Sequence, residues 1–268
     1  MTARRITRTT SIPVADGALE CETAGEGPAV VLIHGGLVDR RLWDGQVGPL
    51  ARDHRVIRYD LRGLGRSSMP GGPFSHLDDL DQVLNALAVD RAVLIGLSLG
   101  GMIAMDYTLE HPERVRALVL AAPGLRGYEW DPNPAMEEVY LTLLVDPERA
   151  IALLLKTGMG GATAEAQAAL ERMVTDNLRG WSQVDPKSVR WPSTATLDRL
   201  GDIQAPTLVL IGSDDEPALR QIAETIASTI PQASQVVVSG ARHHLNLDRP
   251  GEFRRKVRRF LEGLEGPV

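Results

Sequence analysis

The feature that most constrains the fold is a series of short apolar runs without polar alternation. Six of them are rich in valine, isoleucine and leucine: Ala29–Ile33, Arg55–Tyr59, Arg91–Gly96, Val115–Ala121, Thr207–Ile211 and Gln235–Ser239. Runs of this kind are typical of strands that are buried on both faces of a parallel sheet. Two earlier segments, around Ile6–Pro13 and Leu19–Ala24, are predicted to form a hairpin at Asp16-Gly17.

Segments with helical spacing of apolar residues separate these runs. One stripe covers Leu77–Leu87, a second covers Met102–Leu109 before Pro112, and a third covers Phe253–Leu261 after Pro250. Alternating strands and helices predict an α/β fold, with a mostly parallel wound sheet and helices on both faces.

Residues 124–202 interrupt this alternation, because they contain no convincing strand. They carry three helical patterns instead, at Met136–Leu144, Pro147–Lys156 and Ala164–Leu178. The segment is too long for a simple crossover between parallel strands. We therefore predict a core made of residues 1–123 and 203–268, with residues 124–202 inserted as a helical cap.

Composition excludes several classes of function. The 268 residues carry a net charge of -6, so the chain lacks the basic character of proteins that bind nucleic acid or anionic membranes. Cys21 is the single cysteine, which excludes an internal disulfide framework and a thiolate metal cage. No apolar run approaches the roughly 20 residues that cross a bilayer, and the first ten residues do not form a secretion signal. We expect a cytoplasmic protein without a bound metal.

The most informative motif is Gly96-Leu97-Ser98-Leu99-Gly100-Gly101, which lies between a predicted buried strand and a predicted helix. A nucleophilic serine benefits from a sharp strand-to-helix turn, because the turn exposes its hydroxyl at the N-terminal end of the helix. The glycines remove side chains that would clash in so tight a bend. The pattern predicts Ser98 as a nucleophile.

Serine needs a general base, and the base needs an acid that orients it. Gly240-Ala241-Arg242-His243-His244 follows the last strand, and Gly212-Ser213-Asp214-Asp215 follows the one before it. The residues alone leave two histidines and two aspartates open for these roles. The order serine, aspartate, histidine is the order that this architecture uses.

Four separately placed motifs resemble the α/β-hydrolase fold superfamily, and the resemblance covers nearly the whole chain. The motifs are His34-Gly35-Gly36, the Asp60–Ser67 loop, the serine turn, and the terminal pairing of Gly212–Asp215 with His243 and Pro250. The resemblance implies Asp215 as the acid and His243 as the base. It also implies an oxyanion hole formed by the backbone N–H groups of Gly36 and Leu99.

The resemblance extends to residues that would bind substrate. Asp39-Arg40-Arg41-Leu42-Trp43 is similar to a stretch in esterases and in the 3-oxoadipate enol-lactonase group, which implies a role for Trp43. Leu144 and Trp181 of the cap are candidates to line an apolar pocket, and Arg242 is a candidate to meet a substrate carboxylate. We expect the Asp60–Ser67 loop and His34 to be structural.

These observations together predict a serine hydrolase that cleaves a small carboxylic ester or lactone through an acyl-enzyme, without a cofactor. Other reactions on the same triad remain alternatives: carbon–carbon bond hydrolysis, hydroxynitrile cleavage and perhydrolysis. A ligand-binding receptor on a hydrolase scaffold is a further alternative. We expect no nucleic-acid or membrane partner, and a homodimer is left open.

Overall fold

The computed structural model describes residues 8–129, 134–143 and 145–264. Eight strands form one sheet in the order β1-β2-β4-β3-β5-β6-β7-β8. The strands are β1 Arg8–Val14, β2 Gly17–Ala24, β3 Ala29–Ile33, β4 Arg55–Tyr59, β5 Ala92–Leu97, β6 Val115–Ala121, β7 Thr207–Gly212 and β8 Ala233–Val238. β1 and β2 pair antiparallel, as do β2 and β4, and every other pairing is parallel. The predicted fold class is confirmed.

Ten α-helices lie within the described ranges. They are α1 Asp44–Leu50, α2 His76–Ala86, α3 Leu99–Glu110, α4 Pro134–Leu143, α5 Pro147–Leu154, α6 Ala164–Trp181, α7 Thr196–Arg199, α8 Pro217–Thr229, α9 Leu245–Asp248 and α10 Pro250–Leu264. None of the described helices has the length and apolarity that a bilayer span requires.

The order in which strands are added to the sheet changes side after β4, and this change positions the site. β3 is followed by β4 on one side, whereas β5 lies on the other side of β3 and the later strands extend away from it. Because parallel crossovers are right-handed, the connections after β3 and after β5 leave the sheet on opposite faces. The carboxyl ends of β3 and β5 therefore flank a crevice, which is where wound α/β sheets bind ligands.

The described part of residues 124–202 contains α4 to α7 and short 3₁₀ turns, but no strand. We call this stretch the cap segment. Both of its ends are tied to α3 through Asp106, whose buried carboxylate accepts hydrogen bonds from Arg126 and Thr196. Among the described residues, the cap segment makes one β-type backbone contact, an isolated parallel bridge between Phe74 and Val189.

A second attachment joins α6 to the loops that follow β3 and β4. The buried amide of Asn177 donates to Oδ2 of Asp39 at 2.8 Å and accepts from the N–H of Gly65 at 2.7 Å. Nearby, Arg41 pairs with Asp39 at 2.6 Å and with Asp176 at 2.8 Å. These contacts seat the cap segment against the carboxyl edge of the sheet.

The Asp60–Ser67 loop has the structural role that we predicted. The carboxylate of Asp60 pairs with Arg40 and accepts the N–H of Arg66 at 2.9 Å. Gly65 has a φ of 56°, and a Cβ atom on it would lie 2.2 Å from Oδ2 of Asp60. Arg62 forms a buried pair with Asp79 at 2.7 Å. The loop is thus held to the core by the ion pairs of Asp60 and Arg62, while Gly65 and Arg66 are exposed.

Candidate active site

Ser98 occupies a sharp turn between β5 and α3. Its φ of 54° and ψ of -114° lie outside the regions that side-chain-bearing residues ordinarily adopt. Such a conformation costs about 1–3 kcal/mol and persists only where the surroundings enforce it. Here the serine N–H donates to the carbonyl of Ala121 at 3.0 Å, and the serine carbonyl accepts from the N–H groups of Gly101, Met102 and Gly124.

The neighbouring glycines are required by close backbone approaches. A Cβ atom on Gly96 would lie 2.2 Å from the carbonyl oxygen of Gly100. A Cβ atom on Gly100 would lie 2.2 Å from the carbonyl oxygen of Ile33. Both distances are far below van der Waals contact, so the turn that presents Ser98 admits only glycine at these positions.

His243 and Asp215 form a buried pair. Nδ1 of His243 lies 3.3 Å from Oδ2 of Asp215, and both side chains are almost fully inaccessible to solvent. The other carboxylate oxygen of Asp215 accepts the N–H of Glu216 at 2.8 Å. A carboxylate can only accept, so this contact requires a proton on Nδ1, and in a neutral imidazole that leaves the lone pair on Nε2. That Nε2 is buried and has no hydrogen-bond partner among the described residues.

Asp214 and His244, the other candidates for the acid and the base, lie in surroundings that differ from those of Asp215 and His243. Asp214 is exposed and accepts a hydrogen bond from the hydroxyl of Ser213 at 2.7 Å. His244 is buried, its Nδ1 lies 3.0 Å from the carbonyl oxygen of Met159, and burial lowers its pKa to about 3. His244 is therefore neutral and committed to a backbone contact. The histidine that contacts Asp215 is His243.

The loop after β3 lies against the serine. A Cβ atom on Gly35 would be 3.3 Å from Cβ of Ser98, so the Gly35-Gly36 segment is in direct contact with the turn. The N–H of Leu99 begins α3, where amides have no intrahelical acceptor. Within the described ranges, neither the Gly36 nor the Leu99 N–H donates to a protein acceptor. The Gly36 N–H and the Leu99 N–H are thus both available to donate a hydrogen bond to a bound molecule.

His34 braces the loops instead of doing acid–base work. Its Nε2 accepts the N–H of Leu61 at 2.9 Å, and its Nδ1 lies 2.7 Å from the carbonyl oxygen of Gly35. Burial lowers its pKa, so the ring stays neutral. The ring therefore connects the loop after β3 to the loop after β4.

The residues predicted to bind substrate are placed differently from one another. Trp43 is fully buried and packs on Phe253 with ring centroids 6.0 Å apart. Arg242 lines an open cavity of about 310 Å³ beside Asp215, together with Lys156 and Glu216. Leu144 and the side chain of Trp181 lie outside the described residues. The roles of all four in binding stay predictions.

The described residues contain no cluster of three or more histidine, cysteine, aspartate or glutamate side chains that could hold a metal ion. His76 is buried beside Phe74 and Trp191, and burial lowers its pKa to about 3.

Sequence reasoning missed three polar residues around the site: Glu216, Asp248 and Asn177. Glu216 accepts the N–H of Gly158, and Asp248 accepts the N–H groups of Arg242 and Ala162. The amides bound by Asp248 lie 6 and 86 positions away in the chain. No local pattern identifies such residues, because their partners are brought together only by folding.

The comparisons of this chain with known proteins agree on one family. The model of the alpha/beta hydrolase family matches residues 30–256. A pimeloyl-[acyl-carrier protein] methyl ester esterase from Aeromonas hydrophila is 36% identical over 264 residues, covering 91% of this chain and 99% of the relative. The carboxylesterase YbfK from Bacillus subtilis is 25% identical over 246 residues, covering 89% and 81%.

A solved structure agrees with this assignment. Est816, described as an N-acyl homoserine lactone degrading enzyme, superposes with a TM-score of 0.79 at 30% sequence identity. The superposition covers 94% of this chain and 100% of Est816. The family match spans most of the chain and includes the serine turn and both loops of the buried pair, so the chain belongs to the alpha/beta hydrolase family and is a hydrolase.

Proposed function

We propose that this hydrolase cleaves a small carboxylic ester or lactone through an acyl-enzyme formed on Ser98. His243 accepts the serine proton as the hydroxyl attacks the carbonyl, and later returns it to the leaving alcohol. A water then attacks the acyl carbon while His243 takes its proton, and the bond from the acyl carbon to the Ser98 oxygen breaks as His243 returns that proton to the serine, which releases the acid. Asp215 holds the imidazole in the tautomer whose Nε2 is the base.

One observation carries this proposal: the buried His243–Asp215 contact at 3.3 Å leaves Nε2 of the ring without a partner among the described residues. A buried, unpartnered nitrogen with a lone pair is costly to maintain for structure alone. It is the group that the Ser98 hydroxyl is proposed to satisfy during the reaction, and the strained turn at Ser98 supports that role.

The N–H groups of Gly36 and Leu99 are proposed to stabilise the oxyanion of the tetrahedral intermediate. Preorganised amides act on charge that develops only during the reaction, and loss of one such donor typically lowers the rate about 100- to 1000-fold. The contact between Gly35 and Ser98 supports this role, because it places the loop beside the nucleophile.

The relatives support the substrate class. One is named as a methyl ester esterase, another as a carboxylesterase, and a solved neighbour is described as degrading a lactone. Ester and lactone carbonyls share the same tetrahedral intermediate, so one site serves both. We also propose that the cap segment, residues 124–202, covers the crevice and selects the acyl group. The cytoplasmic location and the homodimer stay predictions.

The proposal is tested with a fluorophosphonate probe and a panel of short-chain p-nitrophenyl esters and lactones. We expect labelling at Ser98, several turnovers per chain, and a loss of about three orders of magnitude or more in Ser98→Ala. Unchanged hydrolysis by pure Ser98→Ala would overturn the assignment of the nucleophile. Labelling without turnover on any member of the panel would favour the receptor alternative.

A further inference from the structure

The loop between α5 and α6, residues 155–163, contacts both loops that carry the His243–Asp215 pair. We call it the cap loop. The N–H of His243 donates to the carbonyl of Gly158 at 3.2 Å, and Nδ1 of His244 lies 3.0 Å from the carbonyl oxygen of Met159. On the other side, the N–H of Gly158 donates to Oε1 of Glu216 at 2.9 Å. Gly158 therefore bridges the histidine loop and the aspartate loop.

Asp248 on α9 makes a second connection to the cap loop. Its Oδ2 accepts the N–H of Arg242 at 2.8 Å, one residue before His243. Its Oδ1 accepts the N–H of Ala162 at 2.7 Å. The side chain is 3% exposed, so these bonds form away from bulk water. One buried carboxylate is thus shared between the histidine loop and the cap loop.

The chemistry of these contacts requires a carboxylate. Each oxygen of Asp248 faces one backbone N–H, and both N–H groups need an acceptor. An asparagine at this position supplies one acceptor oxygen, while its NH₂ group would face the other N–H. A buried donor left without an acceptor is destabilising, so one of the two loops would move away.

We propose that Asp248 is a positioning residue for His243, and that the cap loop belongs to the same assembly. Together they hold the backbone at positions 242–243 so that the imidazole meets Asp215. The inference rests on the proposed function, since it takes His243 as the base. A displacement of about 1 Å at a reacting group can lower a rate about 100-fold. Loss of the Asp248 hydrogen bonds would displace His243, and would therefore lower both the turnover rate and the reactivity of Ser98.

The test compares Asp248→Asn with Asp106→Asn, in which a second buried carboxylate is altered. Asp106 also joins the cap segment to the core, through Arg126 and Thr196, but among the described residues its hydrogen bonds reach neither the histidine loop nor the cap loop. The measurements are kcat and KM for a p-nitrophenyl ester, the rate of fluorophosphonate labelling, and the Tm.

In Asp248→Asn we expect kcat and the labelling rate to fall together, by about 10- to 100-fold, with KM changed less than about threefold. In Asp106→Asn we expect a lower Tm with a labelling rate within about threefold of wild type. The proposal is overturned if Asp248→Asn has a lower Tm but wild-type kcat and labelling, measured well below that Tm.

Ala162→Pro provides a second variant, in case Asp248→Asn does not fold. It removes one donor to Asp248 and leaves the Asp248–Arg242 bond in place. Ala162 is not among the residues with positive φ, so its backbone is not in the left-handed region that would exclude proline. We expect kcat and labelling to fall in this variant too, and wild-type values would reject the role of the cap loop. If the wild type neither turns over nor reacts with the probe, the proposed function itself fails.

Discussion

Gly35 and Ser98 pack so closely that a β-carbon on the glycine would lie 3.3 Å from the β-carbon of the serine. The same added atom would lie 3.2 Å from Cδ2 of Leu97. Both distances are shorter than ordinary van der Waals contact, so a methyl group would require the loop after β3 or the serine turn to shift by a few tenths of an ångström. The position of the Gly36 N–H relative to Ser98 therefore depends on the absence of a side chain at position 35.

This relationship predicts that Gly35→Ala lowers kcat/KM by about 10- to 100-fold, because the oxyanion donor is displaced by a fraction of an ångström or more. The kinetics of p-nitrophenyl ester hydrolysis measure the effect. Gly45→Ala is the matched control, since a Cβ atom there meets no atom within 4 Å. Equal activity of the two variants would contradict the proposed oxyanion hole.

The proposed mechanism predicts that activity falls on acidification, because it needs the unprotonated imidazole of His243. An imidazolium at His243 has no lone pair to accept the serine proton. His34, His76 and His244 do not account for such a limb, because burial lowers the pKa of each of them.

The measurement is kcat/KM against pH, with Ser98→Ala as the blank and His54→Gln as a variant of a histidine outside the pair. We expect His54→Gln to keep the wild-type profile. A rate that stays constant from pH 5 to 8 in the wild type would tell against His243 as the base.

Asp39 is predicted to stabilise the fold in a pH-dependent way. Burial by itself would raise its pKa, but hydrogen bonds from Arg41 and Asn177 outweigh burial and lower the pKa to about 2. A carboxyl group with a lowered pKa contributes stability above its unfolded-state value near 4, and that stability is lost as the pH falls through about 2. The shift corresponds to about 2 kcal/mol at neutral pH.

Urea unfolding of wild type and Asp39→Asn measures this contribution. We expect the free energies of unfolding to differ by about 2 kcal/mol at pH 7 and to converge as the pH falls from 4 towards 2. Asp176→Asn removes the exposed partner of the same Arg41 and should cost less than about 1 kcal/mol. A difference between wild type and Asp39→Asn that does not change with pH would refute the assignment.

Cys21 is predicted to be unreactive in the folded protein. Burial, assisted by the negative charge of Glu22, raises the pKa of its thiol to about 12, and the thiolate is the reactive form. At pH 8 we expect no reaction of the native chain with a disulfide reagent such as DTNB. In guanidinium chloride we expect one thiol per chain, and rapid modification of the native protein would show that the strand around Cys21 opens readily.

The sequence was sufficient for features that depend on neighbours along the chain. The run at Ala29–Ile33 predicted a strand with the bounds that the structure has, because a strand buried on both faces must be continuously apolar. The serine turn was predictable for a similar reason. A strand, a glycine-flanked serine and a helix are consecutive, and the close approaches at Gly96 and Gly100 leave glycine as the residue that fits.

Some helices were not predicted, and α1 shows why. It contains two glycines and Pro49, which lower helical propensity, yet it packs against α10 on one face of the sheet. Tertiary packing overrides the weak local preference. The short α9 was missed as well, although it supplies Asp248.

The sequence by itself therefore determined the sheet, the serine turn and the short lists of candidate acids and bases, since each depends on local sterics and on apolar patterning. The resemblance to a family singled out Asp215 and His243, but only the tertiary structure brings their side chains into contact and joins the cap loop to Asp248. Those contacts join positions 28 and 86 apart in the chain. A hydrogen bond acts over about 3 Å, so such pairs exist only once the sheet has brought its loops to one edge.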